Sequence, residues 1–103
     1  MNQNIAIAQQ QPDGSLIAVS CLWDRPARPA TLLPEKFQTA EALMQFINFC
    51  ARTNPPRHYP DFCEFLEHGR SDFAATCLFI QANGLWYGTT EENPCGLLRL
   101  SEE

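Results

Sequence analysis

The amino-acid sequence predicts a single α+β domain: a largely antiparallel sheet with helices packed on one of its faces. Three observations carry that prediction. Two pairs of strand-like runs are joined by tight-turn signals, at Pro12-Asp13-Gly14-Ser15 and at Asn83-Gly84. Between the pairs lie two stretches with the apolar spacing of helices, around 39–53 and 60–68. The length, 103 residues, suits one domain, because halves of it would each bury too little surface to fold alone. The predicted order is β-β-α-α-β-β, with a short further strand near the C-terminus.

The first strand covers Asn4–Gln11, with Ile5 and Ile7 on one face and Ala6 and Ala8 on the other. The second runs Leu16–Trp23. Ile17, Val19, Cys21 and Trp23 share one side, and Leu16, Ala18, Ser20 and Leu22 the other. Both sides are apolar enough for a strand covered on both faces. Asp24–Pro34 reads as an extended surface loop, because Pro26, Pro29 and Pro34 interrupt regular ladders. Thr39 caps the first helix, and Glu41 falls in its first turn. Leu43, Phe46, Ile47 and Cys50 form its inward stripe, widened by Ala42 and Phe49. The helix stops near Thr53, since Asn54 precedes Pro55-Pro56.

Pro60–His68 reads as a shorter helix with Phe62, Phe65 and Leu66 inward and Gly69 just past its end. Phe73–Gln81 reads as a strand that alternates Ala75, Cys77, Phe79 and Gln81 with Thr76, Leu78 and Ile80. Leu85–Thr89 returns from the Asn83-Gly84 turn. Gly96–Leu100 adds the short final strand.

Composition narrows the function classes. Seven Lys and Arg stand against twelve Asp and Glu, a net charge of -5. That balance argues against a general DNA, RNA or anionic-membrane binder. No apolar run reaches the ~18 residues of a membrane helix. The segment from Met1 lacks the basic start of a signal peptide, so the sequence reads as cytoplasmic. The charges are uneven. Glu91, Glu92, Glu102 and Glu103 crowd the C-terminal end, whereas Arg25, Arg28, Arg52 and Arg57 gather around inter-element loops.

The five cysteines, Cys21, Cys50, Cys63, Cys77 and Cys95, have no C-x-x-C spacing, so neither a zinc framework nor a full disulfide set is expected. The first four read as reduced core residues, and Cys95 as a turn residue. The glycines are scattered at turns, so no phosphate cradle is present. No cofactor and no metal are expected.

The residue types that remain point to contacts between proteins. Six of the seven basic residues are Arg, and the chain carries seven Phe, two Trp and two Tyr. Interfaces favour Arg and aromatics over Lys. Trp86 and Tyr87 are adjacent on a strand and face opposite ways, so one of them should stand open if helices cover a single face. The leading reading is a small acidic bacterial-type accessory protein that binds another protein or a second copy of itself. Trp23, Arg25, Arg28, Trp86 and Tyr87 are the candidate contact residues. The alternative is a small-molecule-binding domain or small enzyme, with a pocket between sheet and helices using His58, Tyr59, Cys63 or Cys95.

Overall fold

A computed structural model of the chain describes residues 3–23, 29–89 and 98–100. The elements run β1 (Gln3–Gln10), β2 (Leu16–Trp23), α1 (Pro29–Lys36), α2 (Ala40–Cys50), β3 (Arg57–Tyr59), α3 (Phe62–Phe73), β4 (Cys77–Ala82), β5 (Leu85–Gly88) and β6 (Leu98–Leu100). They build one six-stranded mixed sheet in the order β3-β2-β1-β4-β5-β6. The α+β class and the antiparallel majority agree with the sequence. The central pair, β1 with β4, is parallel.

Both expected hairpins form. Gly14 takes φ +91° at the first turn, where Gly14 N–H donates to the Gln11 carbonyl at 2.9 Å. Asp13 Oδ1 accepts from Ser15 N–H at 3.0 Å and from its hydroxyl at 2.6 Å, which holds the Asp13 carboxyl below its ordinary range. Asn83 and Gly84 both have positive φ, 54° and 77°, as a type I′ turn requires.

Several expectations change, among them the element order, to which α1 and β3 are added. The helices pack on both faces, not one. α1 and α2 cover the face of Ile5, Ile7, Val19, Trp23, Phe79 and Trp86, while α3 covers the face of Ala6, Ala8, Ala18, Leu78 and Ile80. The physical reason is β3. This short edge strand pairs antiparallel to β2 and so runs parallel to β1 and β4. The link from β3 to β4 must therefore cross the sheet, and α3 does so on the face opposite to α2.

The stretch read as a loop over 24–34 contributes a helix from Pro29 onward, since proline suits a first helical turn. Pro34 lies inside it, and the helix ends at Lys36. The second predicted helix is longer than 60–68. Asp61 caps it by accepting from Glu64 N–H at 3.0 Å, and it continues to Phe73 before Ala74 turns left-handed at φ 53°. Gly69, expected past the helix end, is buried within it. A Cβ there would sit 3.1 Å from Phe65 Cε1 and 3.2 Å from Leu78 Cδ2, so glycine serves close packing rather than termination.

The expected α2 cap is present, with Thr39 Oγ1 accepting from Ala42 N–H at 3.1 Å. Leu43 and Ile47 are its buried residues, but Phe49, assigned to the inward stripe, is 65% exposed. Two side-chain clamps hold the α3 layer. Tyr59 donates its hydroxyl to Asp72 Oδ2 at 2.8 Å. Arg70 donates to the Thr76 carbonyl and to Thr89 Oγ1, which also accepts from Leu78 N–H at 3.1 Å. No helix among the described residues is long and apolar enough to cross a membrane.

Candidate functional site

Two features stand out from the packed layers, at opposite ends of the sheet. The first is where β1 and β4 end side by side. Their parallel register pairs Gln9 with Gln81, and both side chains are buried on the α1–α2 face. A buried carboxamide must find partners, and these two find them in the link between the helices. Gln81 Nε2 donates to the Phe37 carbonyl at 3.0 Å and to the Thr39 carbonyl at 3.4 Å. Its Oε1 therefore faces Gln9, whose Nε2 donates to it at 3.2 Å and to the Ala40 carbonyl at 2.6 Å. Trp86 Nε1 joins from β5 and donates to the Phe37 carbonyl at 2.9 Å. In front of this pair lies a cleft of about 410 Å³, lined by Gln9, Gln10, Gln11, Ala40, Gln81 and Asn83 together with the two hairpin turns.

The second feature is the far end of β2. Gln11 N–H donates to the Ser15 carbonyl at 2.7 Å, which sets the phase of the β1–β2 ladder. Main-chain groups alternate sides along an antiparallel strand, so Leu16, Ala18, Ser20 and Leu22 turn theirs away from β1. β3 meets Leu16 and Ala18 but reaches only as far as Arg57. No strand among the described residues pairs with the outward main chain of Ser20 and Leu22. Beside them, Cys21 Sγ makes a weak contact with the Leu22 carbonyl at 3.7 Å. Leu22 is also 65% exposed, an unpaired edge carrying an apolar side chain. Arg57 begins the adjoining strand.

Among the described residues, the sequence-selected contact residues Trp23, Trp86 and Tyr87 do not share one exposed surface. Trp23 and Trp86 are buried in the α1–α2 layer, at 9% and 3% exposure. Of Trp86 and Tyr87, one of which was expected to stand open, neither is exposed, because helices cover both faces. Tyr87 is half-buried against the α3 layer. Arg25 and Arg28 lie outside the described residues, as does Cys95.

Nor do the described residues of the alternative pocket, His58, Tyr59 and Cys63, meet at the cleft. Tyr59 is buried under α3, with its pKa raised by burial first and then by the Asp72 carboxylate. His58 and Cys63 are exposed on β3 and at the start of α3, and none of the three lines the cleft. Cys63, expected in the core, stands in solvent because it lies off the Phe62–Phe65–Leu66 stripe. Cys21, Cys50 and Cys77 are half-buried. Burial raises the Cys50 thiol to about 11, the opposite of what a nucleophile needs.

On α3, Glu64, Glu67 and His68 bring donor atoms within 4.8 Å of one another. The His68–Glu64 contact at 3.4 Å is an ordinary i, i+4 pair on an exposed helix face. Gln9, Gln81 and Leu22 were not singled out from the sequence. The available signal for the glutamines was a polar residue on an otherwise bulky apolar strand face. Comparison with known protein families, curated proteins and solved structures gave no significant match.

Proposed function

We propose that the protein is a non-catalytic binding module that takes up a short extended segment of another protein along the open stretch of β2. The observation behind this reading is the outward main chain of Ser20 and Leu22, unpaired among the described residues beside an exposed Leu22 side chain. Extended peptides add to such edges through main-chain hydrogen bonds, and pockets for alternate side chains supply specificity. Natural edges are usually blunted by charge or proline. This one carries Ser20, Cys21 and Leu22 instead. Arg57 at the start of β3 favours a segment that mixes apolar and acidic residues. The interaction reading thus moves from the tryptophans to the strand edge.

The test is selection of peptides from a random display library, followed by amide hydrogen exchange on the complex. Bound peptides should protect the Ser20 and Leu22 amides, and Leu22→Asp should weaken binding at least tenfold. Protection confined to other elements would sink the reading. So would a stable dimer, seen by light scattering, that uses this same edge.

A further inference from the structure

We propose that the cleft at the ends of β1 and β4 binds a small uncharged ligand rich in hydroxyl groups, of the monosaccharide type. This site is separate from the β2 edge and stands on different residues. Its chemistry follows from an orientation that the fold imposes. Two main-chain carbonyls, of Phe37 and Thr39, fix the Gln81 amide group. Gln81 Oε1 then demands an N–H from Gln9, and the Ala40 carbonyl takes the other. Gln9 Oε1 is left as an acceptor that none of the described donors takes up, on a side chain only 4% exposed. It is not sealed off, because Gln9 forms part of the cleft wall.

Around that acceptor the wall is built from carboxamides. Among the described residues, the Gln10 and Asn83 side chains make no hydrogen bond, and Gln11 spends one side-chain N–H on the Gln9 carbonyl at 3.3 Å. No lining side chain is ionisable and none is aromatic. The first fact disfavours metal ions and charged groups, which need compensating ligands or counter-charges. The second disfavours nucleobases, which are held largely by stacking. A hydroxyl group both donates and accepts, so neighbouring hydroxyls can donate to Gln9 Oε1 and accept from the rim amides. At about 410 Å³ the cleft falls within the range of small-molecule sites.

The experiment follows the side-chain amide resonances of Gln9, Gln10 and Asn83 by NMR during titration with D-glucose, D-galactose and N-acetylglucosamine. Glucose 6-phosphate and N-methylacetamide are the comparators. At least one neutral sugar should give saturable shifts at all three residues below about 50 mM, well above the millimolar affinity of weak single-site ligands. Gln9→Met should weaken that binding more than tenfold, and Gln10→Ala several-fold with an unchanged melting curve. Should Gln9→Met not fold, the titration and Gln10→Ala still decide. Silence from all three sugars overturns the proposal. Saturation by N-methylacetamide alone, or by the phosphate ester alone, overturns the ligand class.

Discussion

The two faces of the sheet are packed on different plans. On the α1–α2 face the strands present large side chains, Ile5, Ile7, Val19, Trp23, Phe79 and Trp86. Two short helices rest on them, and the polar link between those helices is tied down by Gln9, Gln81 and Trp86. On the α3 face the strands mix small residues, Ala6, Ala8, Ala18 and Ala82, with Leu16, Leu78 and Ile80. Small residues let a single helix approach closely, and Gly69 brings its backbone near Phe65 and Leu78. The α3 face therefore needs shape fit with one helix. The α1–α2 face combines apolar bulk with a buried hydrogen-bond relay that reaches a cleft.

The comparison breaks most severely at the anchor of each layer. Phe65→Ala on one side and Trp86→Ala on the other should each cost about 3–5 kcal/mol in urea unfolding. Coincident Phe65→Ala transitions by tryptophan fluorescence and by circular dichroism would show that both layers belong to one cooperative unit. A near-neutral Trp86→Ala would contradict its burial.

Next in size is the relay. Gln81→Met keeps the volume but removes the donors to the Phe37 and Thr39 carbonyls and strands a Gln9 N–H. The expected cost is about 1–3 kcal/mol by thermal melting.

A smaller effect belongs to the α3 face. Tyr59→Phe deletes the hydrogen bond to Asp72 and should cost about 1 kcal/mol at neutral pH. Its sharper signature lies at high pH. The folded-state pKa of Tyr59 is raised above the unfolded value, so the unfolded chain loses this proton first. The contribution to stability is complete below the unfolded value of about 10 and falls as pH rises beyond it. Cys50, raised to about 11, adds a loss of the same sign from about 9 upward. Tyr59→Phe should flatten the alkaline decline measured by urea unfolding, leaving the thiol part.

The smallest stability effect is predicted for Leu22→Asp, within about 0.5 kcal/mol of the parent protein, because the side chain is largely in solvent. Loss of peptide binding without loss of stability would separate the edge from both packed faces.

Much of the local structure was legible in the residues themselves. Asp13-Gly14 and Asn83-Gly84 make turns because their backbone conformations admit few alternatives. Thr39 caps α2 because its hydroxyl can reach Ala42 N–H three residues on. The alternation set Ile5 and Ile7 apart from Ala6 and Ala8 along β1, Val19 from Ala18 along β2, and Phe79 from Leu78 and Ile80 along β4, as the structure has them. These are consequences of nearest-neighbour stereochemistry.

Other features depended on partners distant in the chain. The three residues of β3 carry too little pattern to announce a strand, yet their pairing with β2 sends α3 across the opposite face. That crossing covers the second face and leaves the sheet without the open aromatic side that one-sided packing implied. The tryptophans look available for contact in the sequence, but Trp86 is held by the Phe37 carbonyl, 49 positions away. Gln9 and Gln81 are unremarkable polar residues until parallel pairing sets them side by side across a separation of 72. Periodicity determined which way each side chain points. Only the tertiary structure decided what it meets there, because that depends on strand order and crossover, which bring together residues that no local rule relates.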